Sequence, residues 1–401
     1  MLEYLLINKT TSLSLKPSKS PLINKAIQFL SFAALLLGSL GIYAQTRDAN
    51  QPAPNEKKEL SMTIEEYEPK STLKVPVNLV TRAKYPFIDI HNHQSLTPDP
   101  EKLAQTVKDM EALNMYAMVN LSGSWGEKLA QGVKNTTGRY PTKFIVFANI
   151  NFDEIDRPDF SERAAKQLEE DYKNGARGLK IFKSFGLTVK DAKGNRIAVD
   201  DPRVDAVWAK CAELGMPVLI HTAEPASFFD PHDRFNERWL ELKQYPDRYR
   251  PPTQYPTFEE LIKEQEHLFE KHPNTTFINA HLGWFGGDLD PLGKQIDRYP
   301  NVYTEIGAVI AELGRQPRFA REWFIKYQDR VIFGKDIWNP AEYHVYFRVL
   351  ETSDEYFDYY RKRHAFWKMY GLNLPDEVLK KLYYKNALKI MPWIDKSAFP
   401  K

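Results

Sequence analysis

The chain has 401 residues, of which 42% are hydrophobic, 13% aromatic and 27% charged, and its formal net charge is +2. This composition excludes disordered, collagen-like and disulfide-stapled classes and predicts a globular protein with a large core. The first 44 residues carry four lysines and one glutamate, so the remainder has a net charge of −1, which gives no electrostatic basis for a nucleic-acid partner. The single cysteine, Cys211, excludes an intrachain disulfide and a thiolate metal cluster, so any metal ligands must be histidines and carboxylates.

The N-terminus has the pattern of an export signal. Residues 26–44 form an apolar run that follows two lysines and ends in the small residue Ala44, so residues 1–44 are predicted to be a signal peptide. We expect cleavage near Ala44 and a periplasmic or secreted protein. The alternative is an uncleaved membrane anchor, because the run is close to the minimum of about 17 residues for a spanning helix. Residues 45–80 are predicted to be an extended polar arm, and residues 81–395 the folded domain.

Short apolar or β-branched runs alternate with stretches of helical spacing along the rest of the chain. The eight predicted strands are Phe87–His91, Tyr116–Ser122, Phe144–Ile150, Gly178–Phe182, Pro217–Thr222, Thr276–His281, Val302–Gly307 and Val331–Asp336. Several of the intervening helical stretches end at Gly or Asn, as helix C-caps do. Strict alternation in eight units predicts an α/β fold of the closed (β/α)8, or TIM-barrel, type. An open doubly wound sheet is the alternative, but the first strand lacks the Gly-rich phosphate loop typical of that fold.

Two segments extend the minimal barrel. An insert from Pro225 to about Pro256 follows the fifth strand and is rich in aromatic and charged residues, which predicts a lid or a substrate wall, with a rigid structural insert as the alternative. A C-terminal helical extension from Glu342 onward is dense in tyrosine and phenylalanine. Core packing or a homodimer contact explains such aromatic residues.

Histidines fall at the ends of the predicted strands. His91, His221 and His281 each close a strand, His93 follows two residues after His91, and Asp336 closes the eighth strand. The carboxyl ends of barrel strands meet at one rim, where barrel enzymes place catalysis, so these five side chains are expected to converge. Imidazoles with a carboxylate suit zinc or a similar divalent ion and leave a position for water.

The same motifs resemble the amidohydrolase superfamily of metal-dependent barrels. FIDIHNH is similar to the His-x-His of its first strand, PVLIHT and FINAHLGW to the histidines of its fifth and sixth strands, and VIFGKDIW to the aspartate of its eighth strand. The resemblance covers roughly residues 85–392. It is strongest to the amidohydrolase-related branch that includes aminocarboxymuconate-semialdehyde decarboxylase, a branch that contains both hydrolases and nonoxidative decarboxylases.

The resemblance implies a role for each of these residues. His91, His93, His221 and Asp336 would bind one divalent metal per chain, with zinc expected and manganese or iron as alternatives. His281 would stand beside the water or the substrate. Asp336 is also expected to accept the proton of the water and return it to the leaving group, so Asp336 and His281 are the predicted catalytic residues.

Four residues are predicted to bind the substrate. Lys180 lies on the fourth strand near the place where binuclear members of the superfamily carry a carboxylated, metal-bridging lysine; its alternatives are a substrate carboxylate or an internal ion pair. Lys335 precedes Asp336 where a small residue is common, and it either binds an anionic substrate or points outward and pairs with a surface acid. Trp284 is expected to form an apolar wall, and Arg234, in the insert, is expected to bind an anion or lie on the surface.

Three functions remain open from the sequence. The first is a metal-dependent hydrolase of an amide, ester or lactone. The second is a nonoxidative carboxy-lyase that acts on an aromatic or unsaturated carboxylic acid. The third is a barrel that binds a small molecule without turnover, which no residue of the sequence favours, because every expected ligand position is filled.

Overall fold

The computed structural model describes residues 62–400 of the chain. Residues Leu73–Lys401 form one compact unit, which contains every strand and helix of the described residues. The predicted signal peptide, its cleavage point and the first part of the predicted arm lie outside the described residues. Within residues 62–400, no helix has both the length and the apolar character needed to cross a bilayer.

All eight predicted strands form; β1 is one residue longer than predicted, and the other seven are shorter. They are β1 (Phe87–Asn92), β2 (Met115–Asn120), β3 (Phe144–Val146), β4 (Leu179–Ile181), β5 (Val218–Ile220), β6 (Phe277–Asn279), β7 (Val302–Glu305) and β8 (Val331–Ile332). Almost every strand residue is buried, because helices cover the outer face and side chains fill the interior of a parallel barrel.

Helices follow the strands in the order that the helical spacing predicts. Those before the insert are α1 (Pro100–Leu113), α2 (Gly126–Asn135), α3 (Phe160–Lys173), α4 (Ser184–Leu187) and α5 (Asp205–Leu214). Those from the insert onward are α6 (Trp239–Gln244), α7 (Phe258–Lys271), α8 (Leu289–Arg298), α9 (Ile310–Gly314), α10 (Pro317–Lys326), α11 (Pro340–Glu351), α12 (Asp376–Lys380) and α13 (Asn386–Ile390). The helix C-caps expected at Gly and Asn are present, since Asn114 ends α1 and Gly215 ends α5, each in the left-handed conformation.

The strands close into a ring, which confirms the predicted (β/α)8 barrel. The sheets β1–β2–β3 and β4 to β8 are both parallel. Single parallel bridges join them at both seams, from Ala148 to Leu179 and from Asn92 to Asp336. At the second seam the Asp336 amide also donates to the His91 carbonyl oxygen at 2.7 Å. The seam between the first and last strands therefore fixes two of the predicted site residues against each other.

A buried carboxylate strengthens that seam. Asp89 accepts hydrogen bonds from the Tyr343 hydroxyl at 2.6 Å, from Asn92 Nδ2 at 2.9 Å, and from the backbone amides of His91 and Lys335 at 3.1 Å. Burial raises the pKa of Asp89 to about 6 even though these four donors lower it. Asp89 thus fastens the end of β1 to the segment after β8 and touches no imidazole.

The insert after β5 and the loop between α11 and α12 pack against each other beside the barrel mouth. Arg238, in the insert, donates to the carbonyl oxygen of His364 at 3.0 Å and lies over the Trp367 ring at 5.8 Å. His364 Nδ1 lies 3.4 Å from Glu241 Oε1 of α6. We call residues 353–375 the C-terminal loop. Phe357 and Trp367 of this loop pack within the chain, as one of the two sequence interpretations holds, whereas Tyr356 and Phe366 are exposed.

Candidate metal centre

Three predicted ligands lie together at the carboxyl end of the barrel. His91 Nε2 and His93 Nε2 lie 3.4 Å and 3.5 Å from Asp336 Oδ1, and one ligand atom from each of the three residues falls within 4.8 Å of the others. Asp336 has a φ of 86°, a left-handed backbone that non-glycine residues rarely adopt. This turn follows β8 by several residues, whereas the sequence predicted that Asp336 belongs to the strand.

Hydrogen bonds on the opposite ring nitrogens orient both imidazoles. His91 Nδ1 lies 2.9 Å from Glu305 Oε1, and His93 Nδ1 lies 2.8 Å from Ser122 Oγ. Ligand histidines in metal sites are commonly held in this way, which fixes the tautomer and directs the other nitrogen at the metal. Ser122 was not singled out from the sequence, although its place at the end of a predicted strand could have pointed to it.

Glu305, on β7, lies beneath the site and forms the hub of its hydrogen bonds, because its carboxylate bonds to three groups around the candidate metal centre. Besides the His91 ring, its carboxylate accepts from the His281 amide at 2.6 Å and from the Gly307 amide at 2.5 Å. Burial raises the pKa of Glu305, while His281 and the amide donors lower it. A side chain at Gly307 or Gly334 would collide with Glu305 Oε2, so these two glycines make room for the carboxylate.

His281 lies in a left-handed turn just after β6 and not in the strand itself. Its φ is 58°, and its Nδ1 donates to the Gly307 carbonyl oxygen at 2.7 Å. The ring stacks on Trp284 with centroids 4.5 Å apart, so Trp284 forms the apolar wall expected of it. Burial lowers the pKa of His281 to about 4, which leaves a neutral ring with its lone pair on Nε2 at neutral pH.

His221 follows β5 and packs its ring edge-on against His281, with centroids 4.5 Å apart. It is not part of the group of three ligand atoms around Asp336. Its Nε2 is buried and has no hydrogen-bond partner within the described residues. Burial, with nearby positive groups, lowers the pKa of His221 well below its usual value, so the ring is neutral and one of its two nitrogens carries a lone pair. This donor set fits a divalent cation, because a buried unpartnered nitrogen is costly and cation binding would satisfy it.

Lys180, on β4, is buried beside the ligands. Its Nζ lies 3.5 Å from His91 Nε2 and 5.5 Å from the centre of the Phe182 ring. Burial lowers the pKa of Lys180 to about 8, while Asp336 and Glu305 raise it. The structure therefore brings Lys180 to the candidate metal centre.

The other two predicted cations lie elsewhere. Lys335 is buried behind the site, where its Nζ donates to Glu342 and to the Ile337 carbonyl oxygen at 2.5 Å. Lys335 does pair with an acid, but the expectation that it points outward to the surface is wrong, because its side chain is fully buried. Arg234 lies exposed on the insert, with its guanidinium 4.7 Å from the centre of the exposed Phe235 ring, and it does not line the cavity described next.

A cavity of about 330 Å³ opens beside the centre. His221, His281, Trp284 and Asp336 line one side of it. Basic residues of the insert, the C-terminal loop and the segment after β4 also line it, and they are Lys183, Arg238, Arg248, Arg250 and Arg361. Sequence reasoning missed most of these bases, because nothing in the local pattern shows which of the many charged side chains of the insert and the loop point inward.

Comparisons with known proteins agree with the fold. The Amidohydrolase family model matches residues 148–393, which is more than half of the chain and includes the segments of β4 to β8. No curated protein matches the chain.

Three solved structures are similar. A TIM-barrel protein from Bordetella bronchiseptica is 16% identical, with 76% of this chain and 98% of that chain covered and a TM-score of 0.46. A 2,6-dihydroxybenzoate decarboxylase from Rhizobium is 15% identical, with 77% and 99% covered and a TM-score of 0.44. A 5-carboxyvanillate decarboxylase from Novosphingobium aromaticivorans, complexed with manganese, is 14% identical, with 79% and 100% covered and a TM-score of 0.46. The sequence match decides the family: this chain belongs to the amidohydrolase family of metal-dependent enzymes.

Proposed function

We propose that the protein is a metal-dependent hydrolase of an amide, ester or lactone, with one divalent cation held by His91, His93, His221 and Asp336. The observation that carries this proposal is the convergence of two imidazole nitrogens on Asp336 beside the buried, unpartnered Nε2 of His221. Three imidazoles and a carboxylate favour zinc, with manganese or iron as alternatives. Such a cation supplies Lewis acidity and lowers the pKa of water toward about 7.

Asp336 and His281 have separate proposed roles in proton transfer and in orienting the water. Burial would raise the pKa of Asp336, but the His93 hydrogen bond and the neighbouring imidazoles hold it well below its usual value, so Asp336 is ionised, as a metal ligand must be. We also propose Asp336 as the acceptor of the water's proton. His281 donates through Nδ1 to Gly307, and its Nε2 therefore accepts a hydrogen bond. This favours a His281 that orients the attacking water over one that polarises the substrate carbonyl.

Nonoxidative decarboxylation is the second candidate. Five basic residues line the cavity, and they favour it even though four of them pair with glutamates, because a carboxy-lyase must bind an acid at the centre. Release of carbon dioxide from an aromatic or unsaturated acid, without consumption of water, distinguishes this reaction from hydrolysis.

We further propose export after cleavage near Ala44, which detection of the mature N-terminus in the periplasm or medium would test.

The test is metal analysis combined with a substrate panel. We expect about one equivalent of zinc, manganese or iron in the full-length protein, and a loss of this metal in His91→Ala, His93→Ala and His221→Ala. His267→Asn is the matched control, because His267 is exposed and pairs with Asp200. Panels of esters, amides, lactones and aromatic acids then separate the two reactions. Wild-type metal content in any of the three ligand variants would contradict the assignment.

A further inference from the structure

We propose that Arg361, in the C-terminal loop, binds a carboxylate group of the substrate, so that the substrate is an organic acid. This inference rests on the proposed function, because it takes the cavity beside the candidate metal centre as the substrate site. Arg361 lines that cavity together with His221, His281 and Asp336.

The Arg361 guanidinium is unusual because its hydrogen-bonding capacity is unused. It donates no hydrogen bond within residues 73–400, and its side chain is 24% exposed. Its nearest carboxylate oxygen, Glu342 Oε2, is 3.8 Å away and already accepts a hydrogen bond from Lys335 Nζ. A guanidinium has five N–H donors in a planar fork, so Arg361 retains donors for a ligand.

The other bases of the cavity are committed to buried acids. Each of the four donates to a glutamate oxygen at 2.5–2.8 Å: Lys183 and Arg250 to Glu224, and Arg238 and Arg248 to Glu241. These bonds fix the conformation of the insert and join it to the segment after β4. Arg361 therefore differs from its neighbours in that it donates no hydrogen bond to a carboxylate, although Arg238 and Arg250 also keep a buried Nε without a partner among the described residues.

Charge around Arg361 also favours an anion. Lys335 and Arg361 share the carboxylate of Glu342, so the single charge of Glu342 does not neutralise both cations. The Arg361 guanidinium lies 5.5 Å from the centre of the Tyr360 ring, and Ile337 lines the cavity nearby. A carboxylate accepts two parallel N–H bonds from a guanidinium, and these bonds are stronger in a partly desolvated place. An aromatic or aliphatic acid would match both the charge and the apolar walls.

Calorimetric titration of the zinc-loaded full-length protein with benzoate tests the proposal, with benzamide as the uncharged probe. We expect Arg361→Gln to raise the Kd for benzoate by about tenfold or more, and Arg361→Lys to raise it less. Benzamide binding should be unchanged. Lys368→Gln is the matched control: it removes a cation of the same loop that pairs with Asp358 outside the cavity, and it should bind benzoate as the wild type does. Thermal unfolding and zinc content verify that each variant is folded and loaded.

Equal benzoate affinity in the wild type and in folded Arg361→Gln would overturn the proposal, as would a wild type that binds benzoate no better than benzamide. Benzoate affinity that falls on removal of zinc but not in Arg361→Gln would also overturn it, because the carboxylate would then bind the metal. The titration does not depend on turnover. A protein that binds benzoate through Arg361 but lacks both metal and activity would refute the proposed function and leave this inference standing.

Discussion

Replacing Glu305 with Gln tests whether the hub beneath the site orients the metal ligands. Glu305 accepts three N–H groups, from the His91 ring, the His281 amide and the Gly307 amide. A glutamine amide has one oxygen and one NH₂ group, so in either orientation at least one of these donors would face an NH₂ group. An unsatisfied buried donor costs about 1–3 kcal/mol, and the free energy of unfolding of the metal-free protein should fall by about that amount.

The same substitution should also weaken metal binding. Loss of a group that orients a metal-binding histidine typically lowers affinity by about 10–100-fold. Zinc affinity is measured by competition with a chelator, and stability by urea unfolding of the metal-free protein. Glu351→Gln is the matched control, because Glu351 accepts from the Tyr383 hydroxyl at 2.6 Å on another part of the molecule. It should lower stability without changing zinc affinity. Wild-type zinc affinity in Glu305→Gln would refute the orienting role.

Further predictions concern four other residues. His281→Asn should keep its metal while kcat falls by roughly 10²-fold or more, and full activity would remove His281 from the mechanism. Lys335→Met should lower the free energy of unfolding, because it leaves Glu342 without its buried partner. Arg234→Ala should change the free energy of unfolding by less than about 0.5 kcal/mol and leave activity unchanged. A larger loss of stability in Arg234→Ala than in Lys335→Met, measured by urea unfolding, would contradict this. Burial lowers the pKa of His364 to about 4, so the folded state binds fewer protons than the unfolded state between about pH 4 and 6.5. Stability should therefore be full above about pH 6.5 and fall by up to about 3 kcal/mol toward pH 4, and His364→Gln should flatten this acid limb in unfolding titrations.

The barrel and its rim could be predicted because each carries a local signal. A buried parallel strand is a short apolar run, and a polar residue at its end, such as His221, marks the rim. The exact residues at which the strands end were harder to predict from the sequence. His281 and Asp336 have left-handed backbones, a conformation that favours glycine. Because neither residue is glycine, the sequence does not predict this conformation. Hydrogen bonds to neighbouring strands impose it: His281 bonds to Gly307 and Glu305, and the Asp336 amide bonds to His91.

The choice among cations could not be made from the sequence. Lys335 and Arg361 are both bases near the rim. Only the packing of the C-terminal loop decides which of them forms the short ion pair with Glu342. The short contact belongs to Lys335, and Arg361 lies in the cavity. Side-chain direction in a long loop depends on tertiary contacts, so the sequence could not show which cation lies in the cavity.

The most direct test of the account is the position of the metal in crystals of zinc-loaded full-length protein, from anomalous scattering at the zinc edge. We predict one peak per chain, about 2.0–2.2 Å from Nε2 of His91, His93 and His221 and from a carboxylate oxygen of Asp336. A peak bound by the His281 and Glu305 pair, or no peak among these residues, would contradict the assignment of the centre.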